Sequence, residues 1–391
     1  MSMAQKKRIY LDFNATAPLR PVAIEKIASA HELIGNPSSV HAEGRAARAA
    51  ISEARETVAG LVGGQARNVV FTASGTEAAN LVLTPAIESA GSAGPLTRLV
   101  VSAGEHPCVL RGHRFAASAV EILPLDGQGR IDLGALEALL GGGGRVMLAL
   151  QAANNETGVV QPVAEAAAMV HAEGGVVVCD AVQFFGRAPC RLEALDADFL
   201  ILSSHKLGGP KGAGALVAAS PNHRIAAPLV RGGGQEFGLR AGTENVAAIA
   251  GFGAAAAQAC AEAETERVRL AGLRNALLEE VRAAAPDAVV FGAGAERLPN
   301  TLCFAIPGVG AETLVIGLDL AGVAVSSGAA CSSGKVARSH VLMAMGVAPD
   351  LAGSAVRLSL GWSSSVEDAL GFGEALRRVL APIRRARSAA A

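Results

Sequence analysis

The chain of 391 residues is long enough for more than one hydrophobic core, because single cores stop growing at roughly 250–300 residues. Hydrophobic residues make up 51% of it and charged residues 18%, which is typical of a soluble globular protein and not of a disordered one. The formal net charge of -1 gives no electrostatic footprint for nucleic acid or an anionic membrane surface.

The N-terminal residues and the cysteines favour a cytoplasmic protein. Residues 6–8 are basic, but Asp12 and Asn14 follow instead of an apolar stretch, so no signal peptide is expected. No run reaches the ~18 apolar residues that a membrane span requires. The cysteines form no CxxC pair, which disfavours a metal site or a disulfide framework, and five of them are expected to be buried thiols: Cys108, Cys179, Cys190, Cys260 and Cys303.

Short apolar strands alternate with helices along the first half of the chain. A strand is predicted at 9–13, and helices are predicted from Pro21 and over 41–61. Further strands are predicted at 69–71, 99–101, 120–123, 146–150, 176–179, 199–202 and 214–217. Helices are predicted between most of them, at 77–89, 109–118, 133–139 and 163–172. This alternation indicates an α/β fold with a mostly parallel sheet, whose ligands collect at the carboxyl ends of the strands.

A second α/β pattern follows a long helix, which is predicted from Asn245 to about Pro286 with one break. Its strands are predicted at 300–306, 323–326 and 356–360, and its helices at 311–320, at 340–345 and from 366 onward. We expect a large domain over 16–262 and a small domain formed by 1–15 and 263–391. The arginines of the last helix suit a solvated face near a helix C-terminus, and a partner-docking role stays open.

Lys206 follows a predicted buried strand and precedes a glycine-rich turn. A single lysine after a strand is most simply a solvated loop charge. The alternative is an amine in a partly desolvated pocket, where a lysine can form a Schiff base. The other polar clusters of the chain decide between these two interpretations.

Four more polar clusters fall at predicted strand ends. Residues 72–78 precede a helix and suit a phosphate, although a helix N-cap explains them equally well. Residues 105–106 and 154–155 have similar structural explanations, a core histidine and a turn. Asp180 ends an apolar strand, where a buried carboxylate requires a cationic partner. Together with the lysine, these clusters supply what a pyridoxal phosphate enzyme needs: a phosphate site, a stacking group and a partner for the pyridinium nitrogen.

The same segments resemble the cysteine desulfurases, pyridoxal-phosphate enzymes that supply sulfur for iron–sulfur cluster assembly. The resemblance runs in order from about residue 9 to residue 362 through LDFNATAP, GNPSSVH, FTASGTEAAN, GEHPCV, NNETGVVQP, DAVQ, SSHKLGGPKGAGAL, RAGTENV, SSGAACSSG and VRLSLG. It is nearest to the group whose loop reads SSG-x-AC. It implies the type I fold of pyridoxal-phosphate-dependent transferases, with a mostly parallel seven-stranded sheet in the large domain and a smaller C-terminal α/β domain.

The resemblance also implies roles for single residues. Lys206 would form the Schiff base with pyridoxal 5'-phosphate, Asp180 would pair with the pyridinium nitrogen, and His106 would stack on the ring. Gln183 would meet the ring hydroxyl. The phosphate would be held by both subunits of a homodimer, through Gly75, Thr76, Ser203 and His205 of one and Thr243 of the other. The substrate carboxylate would bind Asn155 and Arg357, with Asn36 nearby.

Cys331 would be the nucleophile, in a run of small residues that is a poor place to bury a thiol. An extended chain over 328–334 spans roughly 20 Å, enough to carry sulfur from the cofactor to an acceptor. A thiol reacts as the thiolate. The group that deprotonates it stays open among Lys335, Arg338, His340 and His106. The residues that follow it depart from many relatives, which have an acidic residue and a proline before the serine.

The activity implied by the resemblance is conversion of L-cysteine to L-alanine with a persulfide left on Cys331, for transfer to an iron–sulfur scaffold or another acceptor protein. Lys206 would move the Cα proton, and His106 a proton at the substrate thiol. A selenocysteine lyase or cystine-type β-lyase on the same fold is the nearest alternative, but neither needs a persulfide. A non-catalytic phosphate-ligand scaffold is an alternative of another class, and it would not need Lys206 and Asp180 together.

Overall fold

The computed structural model describes residues 8–90, 94–328 and 338–390, the last five of these by their backbone alone. Its strands are β1 (Ile9–Tyr10), β2 (Val69–Thr72), β3 (Ile87–Ser89), β4 (Leu96–Ser102), β5 (Val120–Leu123), β6 (Arg145–Gln151), β7 (Val176–Asp180), β8 (Phe199–Ser203), β9 (Gly214–Ala218), β10 (His223–Ile225), β11 (Val289–Val290), β12 (Thr301–Ala305), β13 (Val323–Ala324), β14 (Ser326–Ser327) and β15 (Ala355–Ser359). Its α-helices are α1 (Pro21–His31), α2 (Ala42–Val62), α3 (Gly75–Val82), α4 (Pro107–Leu110), α5 (Leu133–Leu140), α6 (Val163–Ala172), α7 (Leu192–Leu195), α8 (Val246–Ala284), α9 (Ala311–Leu320), α10 (His340–Ala344), α11 (Pro349–Ala352) and α12 (Val366–Ala390).

A seven-stranded sheet in the order β2-β9-β8-β7-β6-β4-β5 forms the centre of the larger part of the fold. Only β9 runs antiparallel to its neighbours, β2 and β8. Alternate side chains enter two cores on opposite faces, because successive strand residues point to opposite sides. Leu148 and Val177 pack in one core, and Met147 and Val178 pack in the other. The predicted α/β fold with a mostly parallel seven-stranded sheet is confirmed, and it uses the seven strands predicted in this region.

A second sheet, in the order β11-β12-β15-β14, is antiparallel and packs against α8, α9 and α12. Strand β1 pairs in parallel with β13, so the N-terminal residues also lie with this second core. The predicted strand over 323–326 is divided into β13 and β14. The helices predicted over 311–320 and from 366 onward are confirmed as α9 and α12.

Helix α8 is continuous over 39 residues, so the predicted break in it is wrong. Its first half packs in the core of the large sheet through residues such as Phe252 and Ala256, and its second half packs in the second core through Leu273 and Leu277. Gly253 keeps the helix close to α2, since a Cβ there would lie 2.9 Å from Ala54. The predicted domain boundary between 262 and 263 falls within α8 and stays a prediction.

Two predicted helices are shorter than expected. The helix over 77–89 ends at Val82, because Pro85 disfavours helical geometry at the preceding residue, and 87–89 form β3, which pairs with β10. The helix over 109–118 is reduced to α4 and the 3-10 turn Ala117–Ala119. Arg114 binds the carbonyl oxygens of Leu81 and Ala227, so tertiary hydrogen bonds replace helical ones there.

Within the described part of the chain, α8 is the one helix long and apolar enough to cross a membrane by length and composition. The sequence expectation concerned an unbroken apolar run of ~18 residues. Polar residues such as Gln258 interrupt the apolar stretch of α8. More than half (56%) of its most apolar 18-residue stretch is buried inside the protein. Burial in the core accounts for its composition without a membrane.

Candidate active site

A cavity of about 340 Å³ lies at the carboxyl edge of the large sheet, where the turns that follow β2, β4, β6, β7 and β8 meet. Most of the predicted site residues line it: Gly75, Thr76, His106, Asn155, Asp180, Gln183, Ser203, His205, Lys206 and Arg357. Other residues that line it were not predicted from the sequence: Asn14, Ala15, Ser74, Cys108, Gln151, Ala153 and Val182. The polar clusters at the strand ends therefore belong to one cavity, as the rule for parallel sheets predicts.

The amine of Lys206 faces this cavity from the 3-10 turn Ser204–Lys206, which follows β8 directly. Its Nζ donates hydrogen bonds to the carbonyl oxygens of Asn14, at 2.7 Å, and Ala15, at 2.8 Å. Arg187 donates to the backbone carbonyl of Lys206 at 3.0 Å and also binds the side chain of Gln183. Lys206 is half-buried, so the interpretation of a solvated loop charge is wrong.

Asp180 ends β7 and is 9% exposed. Burial raises the pKa of its carboxyl to about 6, although the N–H of Val182 and the charge of Lys206 both favour the carboxylate. The Val182 N–H lies 2.9 Å from Asp180 Oδ1. The chain's own groups therefore only partly offset the cost of burying the Asp180 carboxylate. A cationic ring nitrogen bound in the cavity would stabilise the carboxylate further. This fits pyridoxal phosphate.

His106 follows β4 and forms the N-cap of α4, where its Nδ1 accepts a hydrogen bond from the N–H of Cys108 at 3.2 Å. Burial, together with the charges of Lys206 and His340, lowers the pKa of His106 to about 4. The imidazole is therefore neutral at physiological pH. A flat, neutral ring that lines the cavity suits stacking on a cofactor ring.

The turn between β2 and α3 contains a helix N-cap and also has a shape that suits a phosphate, the two alternatives that the sequence allowed. Ser74 caps α3 by accepting the N–H of Glu77 at 3.1 Å, and Glu77 in turn accepts the N–H of Ala73. The other oxygen of Glu77 pairs with Arg240 at 3.0 Å. Gly75 brings its backbone close to the next strands, since a Cβ there would lie 3.0 Å from Val182. A turn with little room for a side chain, at a helix N-terminus, suits a phosphate.

Arg357 reaches the cavity from β15 of the second sheet and is 2% exposed. Its guanidinium donates to the carbonyl oxygen of Asn155 at 3.0 Å and to Asp12 Oδ1 at 2.8 Å. Its Nε is buried and has no hydrogen-bond partner among the described residues. The guanidinium therefore has hydrogen-bonding capacity that the described residues do not use.

Two predicted residues, Asn36 and Thr243, do not line the cavity, and a third lies outside the described residues. Asn36 is exposed, and its side chain accepts the N–H of Ser38 in a local turn. Thr243 is exposed and lines a separate cavity of about 130 Å³. Cys331 lies outside the described residues, together with Lys335. The roles assigned to these residues stay predictions.

Two buried acids were missed by the sequence reasoning. Glu105 is fully buried, and burial and the charge of Asp180 raise the pKa of its carboxyl well above the usual range. Glu156 is 3% exposed, and burial raises the pKa of its carboxyl to about 7. Both follow apolar strands, which is the signal that identified Asp180.

The cysteines within the described residues are unsuited to nucleophilic chemistry. Cys179, Cys190 and Cys303 are buried as expected, whereas Cys108 and Cys260 are only partly buried. Burial raises the pKa of all five thiols. Across the described ranges, no group of His, Cys, Asp and Glu side chains has the geometry to hold a metal ion.

Comparison with known proteins identifies the family. A family model described as class-V aminotransferase matches residues 9–372. The cysteine desulfurase of Cereibacter sphaeroides is 43% identical over 372 residues, which cover 92% of this chain and 93% of that one. The chain belongs to the cysteine desulfurase family.

Other members of the cysteine desulfurase family agree in sequence and in fold. The cysteine desulfurase IscS of Dictyoglomus turgidum is 36% identical over 97% of this chain and 96% of its own. The solved structure of a NifS-like protein from Rickettsia africae has a TM-score of 0.85 at 34% identity and covers 95% of this chain and 99% of that one. The type I transferase fold that the sequence resemblance implied is confirmed.

Proposed function

We propose that the protein is a pyridoxal-phosphate-dependent cysteine desulfurase of the cytoplasm. It would convert L-cysteine to L-alanine and leave the sulfur as a persulfide on Cys331 for iron–sulfur cluster assembly. One observation carries this proposal: the amine of Lys206, the buried carboxyl of Asp180 and the guanidinium of Arg357 all line one cavity. They are the groups needed to hold the cofactor, to charge its ring and to bind an amino acid carboxylate.

The cavity suits pyridoxal phosphate at each of its ends. Lys206 would hold the cofactor covalently, Asp180 would pair with the ring nitrogen, and the α3 N-terminus at Gly75 would receive the phosphate. His106 would stack on the ring, Gln183 would meet its hydroxyl, and Thr76, Ser203 and His205 would complete the phosphate site. When bound, the cofactor supplies an electron sink for charge that develops at the substrate Cα.

The chain's own groups would orient the substrate and move its protons. Arg357 would bind the cysteine carboxylate through its guanidinium, with Asn155 beside it. The carbonyl oxygens of Asn14 and Ala15 hold Lys206 Nζ inside the cavity, ready to accept the Cα proton. His106 is neutral and would move a proton at the substrate thiol.

Sulfur transfer would form one bond and break another. The Cys331 thiolate would attack the substrate sulfur, so an S–S bond forms as the Cβ–S bond breaks. The electron pair of the broken bond would stay on Cβ, which takes up a proton and leaves as alanine. Carbon is thereby reduced and the transferred sulfur oxidised, with no outside oxidant. An iron–sulfur scaffold or another acceptor protein would then receive the sulfur.

The proposed enzyme is a homodimer. Thr243 is exposed and lies outside the cavity of its own chain. In the proposed dimer it would complete the phosphate site of the partner subunit. Measurement of molecular mass in solution tests whether the dimer forms. Absorbance titration of wild-type protein and a Thr243→Ala variant with pyridoxal phosphate tests whether Thr243 affects cofactor affinity.

The test of function uses the purified full chain. We expect a yellow protein whose near-visible absorbance is lost on borohydride reduction, and which releases alanine from L-cysteine faster than from cystine or selenocysteine. Lys206→Ala should abolish both properties, whereas the exposed Lys211→Ala is a matched control. Cys331→Ala should keep the colour but form no persulfide. A colourless protein that takes up no pyridoxal phosphate, or a Lys206→Ala variant with normal turnover, would show the proposal to be wrong.

A further inference from the structure

Glu156 occupies a buried turn beside the substrate end of the cavity. The turn follows β6, and Asn154 Oδ1 accepts the backbone N–H groups of both Glu156 and Thr157 at 2.9 Å. Asn155, which lies between Asn154 and Glu156 in the chain, lines the cavity, and its carbonyl oxygen accepts a hydrogen bond from Arg357. The backbone position of Glu156 is therefore fixed by Asn154, and Glu156 directly follows the residue that borders the carboxylate site.

The side chain of Glu156 binds the chain just after residues 329–337, the segment that contains Cys331. Ser339 is fully buried, and its hydroxyl donates a hydrogen bond to Glu156 Oε2. The same hydroxyl accepts the N–H of Leu342 at 3.0 Å, as the N-cap of α10. Ser339 is thus held from both sides, and Glu156 is one of its two anchors.

The chain just before that segment passes near the same carboxylate without bonding to it. Gly328 donates its N–H to the carbonyl oxygen of Ala355 at 2.9 Å. A Cβ placed on Gly328 would lie 3.5 Å from Glu156 Oε2 and 3.5 Å from Ser339 Cβ. The two described ends of the chain around Cys331 therefore both lie near Glu156, and Ser339 is the one that binds it.

Burial of the Glu156 carboxyl costs free energy, which suggests a functional reason for its presence. An acid buried this deeply loses its hydration, and only the Ser339 hydroxyl and the charge of Arg357 oppose the resulting rise in its pKa. An apolar side chain would fill the same space without that loss. What an apolar side chain could not do is fix Ser339 relative to Asn155.

We propose that Glu156 is a positioning residue that couples the substrate carboxylate site at Asn155 and Arg357 to Ser339, which follows the segment carrying Cys331. The inference rests on the proposed desulfurase function and deepens it. Arg357 holds one end of the substrate, and the thiol must meet the sulfur at the other end. Anchoring the chain at Ser339 relative to Arg357 would limit the positions available to the thiol, and reaction rates are sensitive to such positions.

The test separates sulfur transfer from substrate binding in the holoenzyme. Rapid mixing with L-cysteine would give the change in cofactor absorbance, which reports substrate binding. Acid quench and mass spectrometry would give the persulfide on Cys331, seen as the added mass of one sulfur atom. The variants are Glu156→Ala, Glu156→Gln, Ser339→Ala, Ser339→Thr and the double alanine variant, with the exposed Glu165→Ala on α6 as the matched control.

We expect Glu156→Ala and Ser339→Ala to slow persulfide formation by about tenfold or more, with cysteine binding changed by less than about threefold. Glu156→Gln and Ser339→Thr keep a hydrogen-bonding group and should recover most of the rate. The double alanine variant should form the persulfide no more slowly than the slower single variant, because all three variants lose the same Ser339–Glu156 hydrogen bond.

Three outcomes would overturn the proposal. In the first, both single alanine variants form the persulfide at a rate within about twofold of the Glu165→Ala control. In the second, the double variant is slowed by the product of the two single effects, which would mean that the two residues act independently. The third is an equal loss of cysteine binding and persulfide formation, which indicates general damage to the site. If Glu156→Ala does not fold, the contrast between Ser339→Ala and Ser339→Thr decides. Failure of the proposed function is seen separately, as wild-type enzyme that forms no persulfide.

Discussion

Lys206 Nζ lies 2.7 Å from the carbonyl oxygen of Asn14, a residue 192 positions earlier in the chain. The side chain of Asn14 is 1% exposed and is itself held by the second sheet. Its Nδ2 donates to Thr301 Oγ1 at 2.9 Å, and its Oδ1 accepts from Asn300 at 2.9 Å. The amine in the large-sheet cavity is therefore positioned by residues of the second core.

Replacement of Asn14 by Ala should weaken both the fold and the cofactor site. It leaves buried partners unsatisfied, which costs about 1–3 kcal/mol for each such group. We expect a loss of about 3 kcal/mol in the free energy of unfolding by urea, and pyridoxal phosphate affinity lower by about tenfold. The exposed Asn222→Ala should change stability by less than about 0.5 kcal/mol. Equal unfolding midpoints for the two variants would contradict the prediction.

Gly75→Ala tests the turn with little room for a side chain at the start of α3. The added Cβ would lie 3.0 Å from Val182 Cγ2 and 3.4 Å from Ser203 Cβ, so it pushes the turn away from the strands. We expect about tenfold weaker binding of pyridoxal phosphate, measured by absorbance titration. Gly60→Ala is the matched control, because nothing lies within 4 Å of its added Cβ. It should stabilise α2 by about 0.5–1 kcal/mol and leave cofactor binding unchanged.

The strands of the large sheet and the acid at the end of one of them were predictable, because their signals are local. Residues 176–180 read as a β-branched apolar run that ends in a carboxylate, and 199–202 read as an apolar run that precedes the site lysine. Both runs are buried strands in the structure, and both ends reach the cavity. Apolar continuity fixes the strand, and the parallel sheet then fixes the edge at which the polar residues meet.

The contacts made by the site residues were not predictable in the same way. Arg357 pairs with Asp12 across 345 positions, and Glu156 binds Ser339 across 183. No local pattern reports such contacts, because they depend on how the two sheets pack. The same reason explains the segment 109–118, where hydrogen bonds from Arg114 override a helical pattern.

Arg357→Lys should impair substrate binding more than turnover. Lysine keeps the positive charge but lacks the planar fork that now bonds Asp12 and Asn155 and still has a free Nε–H. We expect the KM for L-cysteine to rise by about tenfold to a hundredfold, with kcat falling by less than about fivefold. Arg377→Lys, on the exposed face of α12, is the control. An unchanged KM in Arg357→Lys would exclude a role for this residue in carboxylate binding.

The affinity for pyridoxal phosphate should fall in acid. In the cofactor-free protein the pKa of Asp180 is raised to about 6, so the carboxylate that pairs with a ring nitrogen is lost below that pH. The Asp180→Asn variant should bind pyridoxal phosphate at least about a hundredfold more weakly than wild type at neutral pH. Its affinity should change little between pH 5 and 8, roughly the range over which the Asp180 carboxyl of wild type titrates. Absorbance titrations at several pH values measure both. A wild-type affinity that does not change across this range would refute the pairing.

Because of Asp180, the stability of the cofactor-free protein should fall as pH rises, whereas the cofactor affinity should rise with pH. The folded pKa of about 6 is above the reference value of 3.8, so the contribution to stability is present below the reference value and lost as pH rises through about 6. Cofactor-free Asp180→Asn should therefore be more stable than wild type at pH 8, by on the order of 3 kcal/mol. Urea unfolding at low and high pH checks this sign, and a less stable variant at pH 8 would contradict it.

A histidine at the opposite edge of the sheet should make stability depend on pH without affecting catalysis. His171 binds Asp198 through Nε2 at 2.9 Å and Asp196 through Nδ1 at 3.2 Å. Burial acts to lower the pKa of His171, but these two carboxylates outweigh it and raise the pKa. The histidine's contribution to stability is therefore fully present below its unfolded pKa of about 6.5 and is lost as pH rises through the folded value.

We therefore expect His171→Gln to lose more stability at about pH 6 than at about pH 9, with cofactor absorbance and turnover unchanged. Asp198 also accepts the N–H of Val177 and pairs with His223, so it is the centre of this cluster. In an Asp198→Asn background the pH dependence of the His171→Gln effect should shrink, because the main partner of the charged imidazole is gone. Urea unfolding of the four proteins at both pH values gives the comparison. A His171→Gln effect that is the same at both values would mean that the imidazole is not charged in the folded protein.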